Sequence, residues 1–428
     1  MSYYETLSIT LSLVDFHSEL VFAALVSNKP TKRKPKMQTK HLPCEAERLS
    51  LDRISTLPQP VLETILGLLP TEEAARTSIL SREWRYKWTK IPNLMFFVSK
   101  RKIKKKQRSV SKRASNIEGA KKNSDTRFKL YHDLHEVMLQ RQIPIQELTL
   151  SMGNHYDYLE FDQIILNLSR NHTVKKLTLI GSDWHSSWYN LPTSVFSMHN
   201  LTELNLSYFE LDHPPIFSVF GSLQILYLWN VSIPAQTLLH LLSNCPSLKS
   251  FGLLLGQDFD DKCTINELFK CLPVIEHLTT WRHLSRWLVL DAVPQELPTS
   301  LIHLKELCFE EICFLQGYGL TFLLVLVKCS PNLEKIKLEI DWDVSGYKKY
   351  SVVWKEYSDV WLEHLSELEI EGFNNLKPEM EFVKFILVRS PKLKKVSIQS
   401  VVDPNQESEM LKTLLQAPRV SPVVITVK

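Results

Sequence analysis

Ten copies of one short pattern, apolar-x-x-apolar-x-apolar, set the terms on which this chain can fold. They run as Ile145-x-x-Leu148-x-Leu150, Val174-x-x-Leu177-x-Leu179, Leu201-x-x-Leu204-x-Leu206, Leu223-x-x-Leu226-x-Leu228 and Leu248-x-x-Phe251-x-Leu253. A degenerate Ile275-x-x-Leu278 follows, then Leu304-x-x-Leu307-x-Phe309, Leu333-x-x-Ile336-x-Leu338, Leu365-x-x-Leu368-x-Ile370 and Leu393-x-x-Val396-x-Ile398. First positions are separated by 29, 27, 22, 25, 27, 29, 29, 32 and 28 residues. The last two pattern positions of each copy are separated by a single residue, as in a short strand whose alternate side chains point inward. One such strand cannot bury its apolar face alone, so neighbouring copies must stack into a continuous core.

All intervals but that of 32 lie within the period of leucine-rich repeats. A second register supports the reading. Leu241-Leu242 before Cys245-Pro246, Leu326 before Cys329-Ser330-Pro331, and Ile386-Leu387 before Ser390-Pro391 each place a helix-like apolar run and a proline stop ahead of a strand. The expected fold is therefore an α/β solenoid, with a parallel sheet on the concave side and helices on the convex side.

Leu51–Trp88, upstream of the repeats, is dense in Leu, Ile and Trp yet too short to cover them. Pro60 suits the first turn of a helix, whose stripe is Leu62, Ile65, Leu66 and Leu69, and Pro70 stops it. Thr71 is expected to cap a second helix with Glu72 and Glu73 in its first turn. Ser81 is expected to cap a third carrying Trp84, Arg85 and Trp88. Part of this surface should be buried by another chain; the alternative is an ordinary helical cap on the domain that follows.

The net charge of +4 conceals a segregation. Lys100–Lys122 holds eleven Lys/Arg against Glu118, and Lys29–Lys40 holds six against none, so the remainder carries about −12. The run of Lys100, Arg101, Lys102, Lys104, Lys105 and Lys106 reads as a solvated loop or a nuclear-localisation signal. With no aromatic residue between Lys100 and Arg127, nucleic-acid binding is disfavoured. Seven cysteines without a CxxC pair fit free thiols in a reducing compartment, nuclear or cytoplasmic. The apolar stretch Leu7–Val26 is broken by Asp15, His17 and Glu19 and reads as neither secretory leader nor membrane span.

Leu57-Pro58, Leu62, Ile65-Leu66, Leu68-Leu69-Pro70, Leu80-Ser81 and Trp84-Arg85 resemble an F-box, the module that binds the Skp-type adaptor of a cullin-based ubiquitin ligase. The string from Asp52-Arg53-Ile54-Ser55 to Trp88 is similar to plant F-box proteins that combine leucine-rich repeats with a C-terminal FBD region. Leu365-x-x-Leu368-x-Ile370, Gly372-Phe373, Phe382-x-x-Phe385-Ile386-Leu387, Ser390-Pro391-x-Leu393-Lys394-Lys395, Leu411–Leu415 and Arg419-Val420-Ser421-Pro422 look like that region. Glu72, Glu83 and Lys87 depart from the family's usual residues. The implied division is a disordered extension over 1–48, an F-box over 49–95, a basic loop over 98–127, repeats over 128–359 and an FBD end cap over 360–428. The cap is expected to end in a helix, Glu407 to Gln416, and a strand, Val423 to Val427.

The resemblance implies a non-catalytic substrate receptor, in which the adaptor, and through it a cullin, docks on Leu57, Pro58, Leu62, Ile65, Leu66, Leu69, Pro70, Leu80 and Trp84. Residues flanking the inward leucines would meet the client: Tyr227, Trp229 and Asn230, with Trp184 and Trp188 in a loop. Catalytic signals are missing from the sequence. No GxGxxG, GxxxxGK or GxSxG occurs, His132 and His135 have no third zinc ligand at the usual spacing, and Cys308 and Cys313 have no marked base. Neither a cofactor nor a metal is expected. The alternative function is a non-ligase repeat scaffold, nuclear if the basic run directs it there.

Overall fold

The computed structural model describes residues 57–97, 134, 136–141, 143–152, 158–171, 173–181, 188–211, 220–256, 263–281, 301–314, 319–341 and 354–428. Two compact units divide the chain, Met1–His185 and Ser186–Lys428.

In the first unit, helix α1 (Gln59–Gly67) carries Pro60 in its opening turn, and Leu62 and Leu66, one turn apart, are each 1% exposed. Pro70 precedes α2 (Thr71–Arg76). Thr71 is not the expected cap: it is the first helical residue, and its Oγ1 accepts the Met95 amide at 2.9 Å. The third expected helix is also absent. Ser81 caps nothing, and a turn over 82–86 leads into a 3-10 segment, Lys87–Lys90. The Ser78 hydroxyl donates to the Arg85 carbonyl at 3.0 Å and that of Thr89 to the Tyr86 carbonyl at 2.7 Å. These hydroxyls take carbonyls that an α-helix would have used.

Ile91–Phe97, which the sequence suggests is only an apolar exit, contains strand β1 (Asn93–Phe97). It pairs in parallel with β2 (Glu147–Ser151), which pairs after α3 (Tyr158–Asn171) with β3 (Lys176–Ile180). Ile91, Leu94 and Phe96, all buried, repeat the pattern of Ile145, Leu148 and Leu150 in register. In sequence, the basic stretch therefore falls between the first two strands of the repeat series. Buried leucines are worth about 1.5–3 kcal/mol each, so β1 is as much a core element as any later strand.

The second unit is a parallel sheet in which neighbours in sequence are neighbours in space. Its main strands are β4 (Glu203–Ser207), β5 (Ile225–Val231), β6 (Ser250–Leu255), β7 (His277–Trp281) and β8 (Glu306–Ile312), then β9 (Lys335–Ile340), β10 (Glu367–Phe373), β11 (Lys395–Ser400) and β12 (Val424–Val427). Crossovers include α4 (Ala235–Ser243), α5 (Ile265–Lys270), α6 (Gly319–Cys329), α7 (Lys377–Arg389) and α8 (Pro404–Gln416). Helices α4, α6 and α7 end just before Pro246, Pro331 and Pro391, where the proline register expects them to stop. Asp403 caps α8 through the Asn405 and Gln406 amides, both at 3.1 Å, so this helix starts three residues before Glu407.

The second and third pattern positions form two inner rows against the helices. Phe309 of β8, for example, meets Phe322 of α6 edge-on at 5.7 Å. The degenerate repeat completes its pattern with Thr280, fully buried, whose Oγ1 has no hydrogen-bond partner. Seven residues after the first pattern position, Tyr208, Asn230, Glu311 and Gly372 all have positive φ, between 49° and 72°. Register shifts accompany three of these left-handed residues, and only one is glycine.

Candidate docking module and recognition face

The nine residues implied as adaptor contacts separate by burial. Leu62, Leu66, Leu69 and Trp84 are 1–3% exposed and serve the core of their own unit. Pro58 is exposed, while Leu57, Ile65, Pro70 and Leu80 keep part of their surface. Around them stand apolar side chains outside the implied set: Val61, Leu68 (59% exposed), Ile79 (65%) and Tyr86 (60%). On α1 the division follows helical geometry, since Leu62 and Leu66 share a face that Val61 and Leu68 do not. Large exposed apolar groups gathered on one small module mark an interaction surface.

Two of the family departures have work inside the chain. Arg76 pairs with Glu72 at 2.8 Å and also with Glu73, one turn away on α2. The Lys87 ammonium lies 5.1 Å from the centre of the Trp84 ring, a cation–π contact over an otherwise buried indole. Glu83 is exposed.

On the sheet face opposite the helices, cross-strand register arranges polar residues in rows. His277, Glu306, Lys335, Glu367 and Lys395 occupy successive places in one row. His277 Nδ1 lies 3.2 Å from Glu306, Lys335 lies 3.2 Å from Glu367, and Glu367 lies 2.6 Å from Lys395. Lys335 also reaches Glu369 at 3.0 Å, and Lys337 reaches Glu371 at 3.0 Å. Just before the strands, Glu276 binds Lys249 at 2.8 Å and Lys305 at 3.2 Å, which holds its carboxyl down at about 2. Opposite charges across neighbouring strands support the sheet by a few tenths of a kcal/mol each, roughly 0.2–1. Hydrogen bonding to Glu306 raises the His277 pKa above its ordinary value.

Beside this charged half lies an aromatic one. Tyr227 hydrogen-bonds Ser250 at 2.9 Å, and its ring lies across Gly252, where a Cβ would fall 2.3 Å from Cδ1. Trp229 is nearly buried and meets Trp281 edge-on, with ring centres 4.7 Å apart. Asn230 is one of the left-handed bulge residues, a backbone demand that Asn meets well. Half-buried Trp188 lies over Gly256, where a Cβ would stand 1.8 Å from its Cη2. Of the five implied client residues, the register thus brings Tyr227 and Trp229 to one face, and Trp188 packs on the glycine that follows β6. Gly252 and Gly256 were the missed partners, signalled only by glycine at places where a strand prefers a side chain.

Trp184, the basic run Lys100–Lys106, His132 and His135 lie outside the described residues. Among those described, no group of His, Cys, Asp and Glu is arranged to hold a metal ion, and no helix is long and apolar enough to cross a membrane. Burial pushes the Cys308 thiol up to about 12, so it stays protonated at neutral pH.

Fold and site together define a leucine-rich-repeat protein that carries a small helical docking module before its repeats. Three family models match it in chain order. They are the F-box domain over residues 54–95, the repeats of FBD-associated F-box protein At5g56370 over 163–295, and FBD over 361–398. The chain is 28% identical to F-box/FBD/LRR-repeat protein At1g13570 of Arabidopsis thaliana, over 87% of its own length and 97% of the relative's. It is 23% identical to F-box/FBD/LRR-repeat protein At3g26920 of the same plant, over 86% and 94%. FBD-associated F-box protein At5g56370, also from Arabidopsis thaliana, shares 24% identity over 80% and 89%. In carrying all three matches the chain is similar to the F-box/FBD/LRR-repeat proteins of Arabidopsis thaliana over most of its length.

Proposed function

We propose that this chain is the substrate receptor of a Skp–cullin–F-box type ubiquitin ligase, non-catalytic itself. The observation that carries the reading is the F-box with its exposed apolar group, Val61, Leu68, Ile79 and Tyr86, beside half-buried Ile65 and Leu80. The adaptor seats on that group and links the chain to a cullin. The repeats hold a client protein on the sheet face that carries Tyr227 and the charged row from His277 to Lys395, with the buried Trp229 and Trp281 as structural support. Catalysis is then positional: tethering a client lysine near a charged conjugating enzyme raises its effective concentration, with no chemistry required of the receptor.

The test is capture of purified adaptor by the full-length chain and by a version lacking residues 54–95. Retention by the first and loss by the second is the expected result. Equal capture by both would overturn the docking assignment and favour a repeat scaffold outside the ligase. Proximity labelling with and without proteasome inhibition, on the same two proteins, identifies the client as the species that accumulates only with the F-box intact.

A further inference from the structure

Two helices of the repeat unit begin with a glutamate at their third position, and the two glutamates meet opposite surroundings. At the start of α5, Glu267 and Thr264 form a complete capping box: the Thr264 amide donates to Glu267 at 2.8 Å, and the Glu267 amide donates to the Thr264 hydroxyl at 3.2 Å. That carboxylate is at the surface, and hydrogen bonding from Thr264 lowers its pKa. At the start of α7, Glu379 reaches back in the same manner, accepting the Leu376 amide at 3.1 Å and the Asn374 amide at 2.9 Å on Oε2. Here the cap position is Leu376, which has no oxygen to complete the box. Glu379 is fully buried and its Oε1 has no hydrogen-bond partner. The other end of α7 repeats the shortfall, because the Ser390 hydroxyl is fully buried and also without a partner. In the equivalent place after α6, the Ser330 hydroxyl donates to Leu326 at 2.7 Å.

We propose that Glu379 is a proton-dependent latch on the turn between β10 and α7, holding Asn374 and Leu376 closed while its carboxyl is neutral and releasing them when it ionises. A buried carboxylate with one bare oxygen and no counter-charge must draw in water, and the segment able to admit it is the turn the carboxyl ties down. Burial raises the Glu379 pKa to about 7 against the opposing pull of the Leu376, Asn374 and Asn375 amides. No charged side chain of any described element contributes; Lys377 and Glu381, nearest along α7, pair with each other at 3.8 Å. The sign follows from linkage. A carboxyl raised in the folded state stabilises it fully below the unfolded value, and that contribution is lost as pH rises through about 7. The turn is itself a demanding one, with Gly372 at φ 72° and Asn375 at φ 58°. It follows the strand that sets Glu367, Glu369 and Glu371 on the sheet face, so opening it loosens one border of that face.

The experiment is hydrogen exchange of the Asn374 and Leu376 amides in the full-length chain between pH 6 and pH 8, corrected for intrinsic exchange, in wild type and Glu379→Gln. The wild-type opening constant should rise by up to about tenfold per pH unit below the folded carboxyl's midpoint and level off above it, and that of the variant should stay level throughout. Equal slopes in the two proteins would overturn the latch. Should Glu379→Gln fail to fold, the carboxyl carbon shift of Glu379 in wild type decides alone. A midpoint near neutrality supports the latch, and one near the ordinary glutamate value refutes it.

Discussion

Truncating one leucine at a time in the F-box separates what holds the module together from what binds its partner. Leu66 is 1% exposed and Leu68, two residues on, is 59% exposed. Leu66→Ala removes core and leaves a cavity, at a cost of about 2–5 kcal/mol. Burying a whole leucine is worth roughly 1.5–3 kcal/mol, so covering the exposed fraction of Leu68 with an adaptor contributes about 1–2 kcal/mol. Leu68→Ala should therefore weaken adaptor binding by about 5- to 30-fold and leave the module's stability unchanged. Ile79→Ala, at 65% exposed, should behave like Leu68→Ala. Affinity is read by calorimetric titration of full-length variants with purified adaptor. Because the chain has two units, module stability is better read from hydrogen exchange of the α1 and α2 amides than from one global transition. If Leu68→Ala and Ile79→Ala bind as wild type while Leu66→Ala loses binding with α1 protection intact, the division by burial is wrong.

Thr280→Val replaces a buried hydroxyl that has no partner with a methyl of similar volume. It should stabilise the repeat unit by about 1–2 kcal/mol, seen as a higher urea midpoint at unchanged m; a lower midpoint would mean the hydroxyl is satisfied in solution. Gly372→Ala adds a Cβ 2.5 Å from the Ile340 carbonyl oxygen at a residue with φ 72°. The backbone conformation costs about 1–2 kcal/mol and the crowding a further 1–3, so the midpoint should fall clearly, and no change would rule out the left-handed turn. Glu306→Gln should bring the His277 pKa down, because the Glu306 hydrogen bond is what raises it. The favourable contribution of this pair is present below the ordinary histidine value and is lost as pH rises through the raised one. Imidazole proton shifts titrated in both proteins check this, and an unchanged midpoint excludes the pair.

The repeat architecture was legible because every strand needs the same two inward side chains, and Leu, Ile, Val and Phe at those places write the period directly. Strand β1 escaped although Ile91, Leu94 and Phe96 fit the pattern, since 54 residues separate Ile91 from Ile145 and the basic stretch fills the interval. Ser81 resembled a helix cap because side-chain oxygens that cap helices also close turns; which one wins depends on where Ser78 and Thr89 send their hydroxyls. For the docking module, sequence located the apolar stripe but could not tell its inner members from its outer ones. Leu66 and Leu68 are the same residue type, and only the packing of α1 against its unit assigns one to the core and one to the surface. Asn230 carried a similar ambiguity, as its type suited recognition and a left-handed bulge equally.

Strand β1 has one more implication. The polypeptide passes from the 3-10 segment Lys87–Lys90 to the first rung of the sheet in two residues, and the Met95 amide is fastened back to Thr71 of α2. Between the F-box helices and that first rung only Ile91 and Pro92 intervene, which leaves little slack. On the receptor reading, the angle at which a docked adaptor presents the opening repeats is a matter of solid geometry rather than polymer statistics. Shortening or lengthening the sequence between β1 and β2 should leave that angle untouched, whereas inserting a flexible residue beside Pro92 should turn a fixed bracket into a swivel.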